Sequence, residues 1–251
     1  MQVVITMAGL GSRFKKAGYT CPKYQIKAFD KTLFEWSMES LKGYYDENNA
    51  YFFIVRKEDA SRDFIEDACE KCGIRKDKVT VIEIDYLTDG QATTALLANR
   101  YWDANDCLMI YNIDTYVESF EMKAEDIEGD GFIPCFKADG DHWSFVELGD
   151  DGNATQVRER VRISDNCTLG AYYFRSCKLY EQIYNEYYTQ GRTLDANERY
   201  VAPLYNYMIQ NGMKVRISLV DASKVHVLGT PEELRDFIAQ GENGQVPNGE
   251  A

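Results

Sequence analysis

Two positively charged side chains flank a glycine-containing loop near the start of the chain, although the sequence as a whole carries a formal net charge of −13. Gly9 and Gly11 follow a short apolar run, Arg13 comes next, and Lys23 follows Pro22. Glycine lets the backbone turn sharply and approach a ligand closely, and peptide N–H groups in such a turn form a concave site for anions. This chemistry suits a triphosphate. The spacing differs from both the phosphate loop that ends in Lys-Ser/Thr and the three-glycine dinucleotide fingerprint.

A carboxylate with a different chemistry lies in the middle of the chain. Asp114 follows the apolar run 107–111, which predicts a buried strand, so its side chain should lie where that strand ends. Mg²⁺ prefers hard oxygen ligands and usually takes one or two carboxylates together with substrate phosphates. The position therefore predicts Asp114 as a magnesium ligand; an aspartate that only caps the next turn is the alternative.

Apolar strands alternate with amphipathic helices through the first half of the sequence. The predicted strands are 3–8, 51–55, 79–84 and 107–111, and the predicted helices are 33–41, 61–72 and 89–98. This alternation predicts right-handed crossovers and a mainly parallel sheet. Ligands in such sheets bind at the carboxyl ends of the strands, so the glycine loop, Gln91 and Asp114 should meet there. Thr88 or Asp89 is the expected cap of the helix that contains Gln91.

The second half reads as strands joined by turns, followed by helices. The predicted strands are 131–136, 144–148, 167–174 and 215–220, and the predicted helices are 178–190, 197–210 and one that begins at Pro231. We therefore predict an α/β protein: a single Rossmann-like domain over residues 1–240, with a mixed, mainly parallel central sheet flanked by helices. Residues 241–251 are predicted to form a polar, disordered tail.

Composition excludes several classes of function. The net charge of −13 argues against nucleic acid as a partner. No apolar run is long enough to span a membrane, and no signal peptide precedes the first predicted strand, so we expect no membrane association. Seven irregularly spaced cysteines argue against a disulfide framework and fit a reducing cytoplasm. Cys69 and Cys72 form a Cys-x-x-Cys, but without a second pair they are predicted to be ordinary helix residues.

The segment 8–14 together with Pro22-Lys23 resembles the signature of nucleotidyltransferases with the nucleotide-diphospho-sugar transferase fold, and the resemblance extends over about residues 2 to 240. It implies that a nucleoside triphosphate binds to the glycine-loop segment, to Lys23 and to two downstream residues. The implied nucleotide-binding residues are Ala8, Gly9, Gly11, Ser12, Arg13, Lys23, Gln91 and Asn112. Gln91 would lie against the nucleobase, where its amide can both donate and accept hydrogen bonds. The resemblance also implies Mg²⁺ as the cofactor and Asp114 as its ligand.

The same resemblance implies a small acceptor-binding β subregion in the second half. Its implied acceptor-binding residues are Trp143, Glu159, Gly170, Tyr172, Glu198 and Tyr200. Glu198 would bind an acceptor hydroxyl or a positively charged group. The chain departs from the family at Val227, where many members carry an aspartate that completes the metal site. Either Asp221 or His226 replaces it, or Asp114, the phosphates and water hold the metal.

The resemblance implies that a phosphorylated acceptor attacks the α-phosphate in line and releases pyrophosphate, with Arg13, Lys23 and Asp114 as the catalytic residues. The segments 5–14 and 31–37 are similar to small enzymes of bacterial capsule and surface-polysaccharide assembly, some of which use CTP and phosphorylated amino acids or amino alcohols. This favours CTP slightly, while a sugar 1-phosphate stays open as the acceptor, and so does a homo-oligomer. Two rival functions are a glycosyltransferase that uses 112–114 as its Asp-x-Asp motif and a non-catalytic nucleotide-binding regulatory module.

Overall fold

The computed structural model describes residues 1–189 and 198–243. Its strands are β1 Gln2–Thr6, β2 Lys27–Ala28, β3 Lys31–Thr32, β4 Ala50–Arg56, β5 Val79–Ile84, β6 Leu108–Asn112, β7 Thr115–Val117, β8 Gly131–Lys137, β9 Ser144–Leu148, β10 Ala154–Glu159, β11 Asn166–Thr168, β12 Ala171–Phe174, β13 Val215–Val220 and β14 Val225–Val227. Its α-helices are α1 Ser12–Lys16, α2 Leu33–Glu39, α3 Arg62–Lys71, α4 Gln91–Leu96, α5 Cys177–Thr189, α6 Leu204–Gln210 and α7 Pro231–Glu242.

One half of the central sheet is parallel. Within the described residues the sheet has ten strands, and β6, β1, β4 and β5 lie side by side in that order, all parallel. Parallel neighbours need crossover connections, and α2, α3 and α4 lie in the chain segments that connect these strands. The four strands predicted for the first half are confirmed, although β1 ends at Thr6 rather than Ala8.

The other half of the sheet is mainly antiparallel. β12 pairs antiparallel with β6 and begins the order β12-β8-β11-β9-β10, while β13 joins β8 in parallel. The single strand predicted over 167–174 is wrong, because β11 and β12 are separated at Leu169 and Gly170. Gly170 has a φ of +76°, and a Cβ there would lie 2.5 Å from the Asn112 side-chain nitrogen. The break therefore brings the backbone against the end of β6.

The helices lie near the positions predicted from the sequence, but several differ from the predictions in length. α2 begins with a capping box in which the Thr32 hydroxyl accepts from the Glu35 N–H at 3.2 Å and the Glu35 carboxylate accepts from the Thr32 N–H at 2.7 Å. The helix predicted over 197–210 is wrong over residues 198–203, since α6 begins only at Leu204, and residue 197 lies outside the described residues. The predicted domain boundary at residue 240 falls inside α7, and residues 244–251 lie outside the described residues.

Alternate residues of the sheet strands bury apolar side chains on opposite faces. On β1, Val4 belongs to one apolar cluster and Val3 and Ile5 belong to another. Burial of each such side chain stabilises the fold by roughly 1.5–3 kcal/mol. Cys69 is fully buried in the second cluster, and burial raises the pKa of Cys72 to about 12, so both thiols stay protonated at neutral pH. None of the helices in the described part of the chain is long and apolar enough to cross a membrane.

Candidate active site

A cleft of about 800 Å³ lies at the carboxyl ends of β1 and β6, as expected for ligand binding in a sheet of this kind. Three sets of residues line it. The first comes from the glycine loop and the link between β6 and β7; the second, from the turn before α4, lies on the side predicted to bind the base; and the third, from the antiparallel half, lies on the side predicted to bind the acceptor. The lining residues are Thr6 to Leu10, Arg13, Lys23, Leu87 to Gln91, Thr94, Asn112 to Thr115, His142 to Ser144, Glu159, Arg160, Thr168 to Gly170, Tyr172, Glu198, Tyr200, Val227, Gly229 and Glu233.

The first part of the glycine loop, residues 8–10, lines the cleft. Ala8 is buried and Gly9 is exposed, and no described atom lies within 4 Å of the position of a Cβ at Gly9, so a ligand has direct access to the backbone there. Arg13 lines the cleft and has an exposed side chain. The structure does not bring Gly11 and Ser12 to the cleft. Gly11 adopts a left-handed conformation, with φ 58°, and forms the turn that leads into α1.

Lys23 and Asp114 form an ion pair at the centre of the cleft. The Lys23 Nζ lies 2.9 Å from the Asp114 Oδ2, and the two side chains are 22% and 35% exposed. Asp114 lies in the short link between β6 and β7, where its backbone oxygen accepts a 2.8 Å hydrogen bond from the N–H of Leu228. In this arrangement Lys23 is the counterion of Asp114, and both charges remain accessible to a substrate.

On the base side of the cleft, Gln91 is held by its side-chain nitrogen. That Nε2 donates to the Asn112 Oδ1 and, at 3.4 Å, to the Thr6 hydroxyl. The predicted cap of α4 is wrong: the N-cap residue is Gly90, with no side-chain capping bond, and the Asp89 carboxylate accepts instead from the Thr93 hydroxyl.

Backbone hydrogen bonds connect the turn before α4 to the segment that contains Arg199, on the acceptor side. The backbone N–H of Arg199 donates to the Asp89 oxygen at 2.7 Å, and the Arg199 oxygen accepts from the Ala92 N–H at 2.9 Å. Gly90 is required here because its φ is 145° and a Cβ would lie 2.5 Å from the Arg199 backbone. The Arg199 guanidinium also pairs with Asp89, at 3.0 Å. The turn before α4 and the segment that carries Glu198 and Tyr200 are therefore joined by hydrogen bonds.

The acceptor side combines aromatic rings with charged groups. The Glu159 carboxylate accepts from the Ser144 hydroxyl and lies 3.6 Å from the Arg160 guanidinium, which in turn lies 5.9 Å from the centre of the Tyr200 ring. Burial raises the pKa values of Tyr172 and Tyr200 above the ordinary range, so both hydroxyls stay protonated at neutral pH. The six residues predicted for acceptor binding all line the same cleft: Trp143, Glu159, Gly170, Tyr172, Glu198 and Tyr200.

Asp221 and His226, the two residues considered as replacements for the family aspartate at position 227, do not line the cleft. The Asp221 carboxylate caps the Ser223 N–H at 2.8 Å, and neither Asp221 nor His226 lines the cleft. His226 is buried, with its ring stacked on Tyr116 at a centroid distance of 5.3 Å. Among the described residues, no group of three or more histidine, cysteine, aspartate or glutamate side chains is arranged to hold a metal.

Glu233, in the first turn of α7, is a cleft residue that the sequence interpretation missed. Its sequence signal, an acidic residue in the first turn of a helix, usually indicates only a favourable interaction with the helix dipole. Its Oε2 atom is buried and has no hydrogen-bond partner among residues 1–189 and 198–243. Together with Asp114 it gives the cleft carboxylate oxygens of the kind that Mg²⁺ prefers, so the donor set fits this cation.

The chain is similar to solved structures of nucleotidyltransferases. The nucleoside-diphosphate-sugar pyrophosphorylase from Vibrio cholerae RC9 is 34% identical, has a TM-score of 0.86, and matches 96% of this chain and 100% of its own. The inositol-1-phosphate CTP transferase from T. maritima is 16% identical, with a TM-score of 0.75 and coverage of 100% and 97%. A Bacillus anthracis protein assigned as a glucose-1-phosphate thymidylyltransferase, in complex with a sucrose, is 14% identical, with a TM-score of 0.76 and coverage of 100% and 98%. No family model and no curated protein matches the chain.

The Vibrio cholerae structure confirms both the predicted fold class and the predicted family, because the similarity extends over nearly the whole of both chains. The two more distant structures share the fold. The chain therefore belongs to the nucleotidyltransferases with the nucleotide-diphospho-sugar transferase fold, enzymes that condense a nucleoside triphosphate with a phosphorylated sugar or another phosphorylated acceptor.

Proposed function

We propose that this chain is a magnesium-dependent cytidylyltransferase that joins CTP to a phosphorylated amino acid or amino alcohol and releases pyrophosphate. The observation that carries the proposal is the Lys23–Asp114 ion pair beside the glycine loop, with a base pocket on one side and an aromatic, acidic pocket on the other. A triphosphate, a base and an acceptor each have a surface of matching chemistry within one cleft.

The reaction needs no covalent enzyme intermediate. An oxygen of the acceptor's phosphate or phosphonate attacks the α-phosphate, and the bond to the pyrophosphate leaving group breaks. Catalysis then depends on positioning and on neutralisation of charge. Arg13 and the loop amides would bind the leaving pyrophosphate, and Lys23 would stabilise the charge that develops at the α-phosphate. Mg²⁺ held by Asp114 would supply further charge neutralisation at the phosphates.

The preference for CTP is supported by the orientation of Gln91. Its Nε2 is engaged by Asn112 and Thr6, so its Oε1 is the atom that the side chain offers as an acceptor. Cytosine carries an exocyclic amino donor where uracil and thymine carry a carbonyl oxygen. An acceptor atom opposite this exocyclic group favours cytosine over the other two pyrimidines, and we propose that the Gln91 Oε1 takes this place.

An amine-bearing acceptor is supported by the composition of the acceptor side. Trp143, Tyr172 and Tyr200 supply aromatic faces, and Glu159 and Glu198 supply carboxylates. Aromatic faces and a carboxylate suit an ammonium group through cation–π contact and ion pairing. A sugar 1-phosphate is the alternative acceptor, since aromatic rings also stack on sugar C–H faces.

A role in bacterial capsule or surface-polysaccharide synthesis belongs to the same proposal and depends on the resemblance of segments 5–14 and 31–37. The test is a pyrophosphate-release assay with CTP, UTP, dTTP and GTP against two acceptor classes, a phosphorylated amino alcohol and a sugar 1-phosphate. We expect the highest kcat/KM for CTP with the amino alcohol phosphate. A preference for another triphosphate would refute the CTP proposal, and a preference for the sugar 1-phosphate would refute the proposed acceptor.

A further inference from the structure

One carboxylate oxygen of a cleft residue is buried without a hydrogen-bond partner in the described part of the chain. It is the Oε2 of Glu233, the third residue of α7. At the start of the helix the Thr230 hydroxyl accepts from the Glu233 backbone N–H at 3.2 Å, a bond that does not involve the Glu233 carboxylate. A buried carboxylate oxygen without a donor destabilises the protein unless a ligand satisfies it.

The Glu233 Oε2 and the Asp114 Oδ2 both lie close to Gly229. A Cβ at Gly229 would lie 3.4 Å from the Glu233 Oε2 and 3.6 Å from the Asp114 Oδ2, so both oxygens lie within 3.6 Å of one point. No side chain occupies that point, because residue 229 is a glycine. The same Asp114 oxygen accepts the 2.9 Å ion pair from Lys23.

The charges of the three side chains do not balance. Lys23 pairs with Asp114, while the Glu233 Oε2 is buried without a hydrogen-bond partner among the described residues. Two carboxylates whose oxygens both lie within 3.6 Å of one point repel each other in a partly desolvated site, and a divalent cation bound to both would remove that repulsion. Val227, which also lines the cleft, offers no oxygen ligand from its side chain.

We propose that Glu233 supplies a second carboxylate for the divalent cation of Asp114. This inference builds on the proposed function, which assigns Asp114 as the first ligand. Two carboxylates with substrate phosphates and water are within the usual ligand set of Mg²⁺. The metal site of this chain would then be completed from α7 rather than from β14.

The experiment measures the binding of Mn²⁺ alone, by the loss of the free-ion signal in electron paramagnetic resonance. Glu233→Gln should raise the Kd for Mn²⁺ by about tenfold or more, a change of about 1.4 kcal/mol. Glu232→Gln is the matched control, because Glu232 is 80% exposed and its carboxylate lies 3.3 Å from Arg235. It should leave the Kd unchanged. Thermal unfolding of each variant checks that the fold is intact.

Two further variants separate failure of this inference from failure of the proposed function. Gly229→Ala introduces a methyl group in ordinary contact with both carboxylate oxygens, and it should also weaken Mn²⁺ binding. If Asp114→Asn loses Mn²⁺ while Glu233→Gln and Gly229→Ala bind it like wild type, the role of Glu233 is refuted and that of Asp114 stands. If Asp114→Asn also binds like wild type, both assignments are wrong. An equal loss in Glu232→Gln would likewise overturn the inference.

Discussion

Replacement of Lys23 by alanine should affect catalysis far more than folding. The Lys23 Nζ lies 2.9 Å from the Asp114 Oδ2, and both side chains are partly exposed. Ion pairs of this exposure contribute about 0.2–1 kcal/mol to stability. We therefore expect Lys23→Ala to lower the free energy of unfolding by no more than about 1 kcal/mol.

The catalytic effect is larger because the charge near the α-phosphate increases as the transition state forms. Removal of one preorganised donor of this kind typically lowers kcat by about 10²–10³-fold, or roughly 2.7–4 kcal/mol. The loss should appear mainly in kcat, since an interaction that strengthens in the transition state contributes less to substrate binding. Lys23→Ala should therefore combine a large fall in kcat with a nearly normal stability.

The assay is continuous pyrophosphate release with CTP and a phosphorylated amino alcohol, paired with urea unfolding of the same samples. Lys224→Ala is the matched control, because Lys224 forms a 2.8 Å ion pair with Glu118 and does not line the cleft. Lys224→Ala should lose a similar amount of stability and keep its kcat. A normal kcat in Lys23→Ala, or an activity loss matched by a loss of folded protein, would refute the catalytic role of Lys23.

Three further predictions concern other residues. Arg13→Ala should chiefly raise the KM for the triphosphate, because an exposed arginine at the cleft mouth contributes ground-state binding; a fall in kcat alone would contradict this. Glu198→Gln should raise the acceptor KM, most of all for an amine-bearing acceptor, and leave nucleotide binding unchanged; weaker nucleotide binding would place the acceptor pocket elsewhere. Burial lowers the pKa of His226, although Glu118 at 3.8 Å opposes the shift. The unfolded chain therefore binds more protons below the ordinary imidazole value of about 6.5. Stability should be complete above that pH and fall below it, and urea unfolding of His226→Gln should show a smaller fall than wild type.

The parallel half of the fold could be predicted from the sequence pattern. The same pattern indicated which site residues lie near the carboxyl ends of its strands. Asp114 and Gln91 were predicted at one edge of the sheet, and the structure brings both to the cleft. The alternation of strands and helices predicts a parallel sheet, in which the carboxyl ends of the strands lie at the same edge. Each strand is recognised from its own apolar run, so this prediction needs only local sequence.

The residues that the sequence pattern missed depend on contacts between distant segments. The break at Gly170 is required by the close approach of Asn112, and the irregular segment before α6 pairs its Arg199 backbone with the turn at Asp89 and Gly90. From the sequence, Glu233 is an ordinary acidic residue in the first turn of a helix; only the fold brings its carboxylate and that of Asp114 close to Gly229. Secondary-structure propensity and hydrophobic periodicity do not describe contacts between segments that are distant in sequence. The conformation at these positions therefore depends on the tertiary structure.

The most direct test of the central claim is pyrophosphate release from CTP with a phosphorylated amino alcohol and Mg²⁺, by wild type and by Asp114→Asn side by side. We expect acceptor-dependent release by wild type, and a loss of at least about 100-fold in Asp114→Asn, which should still fold. Equal turnover by Asp114→Asn, with the same dependence on Mg²⁺, would contradict the proposed role of Asp114.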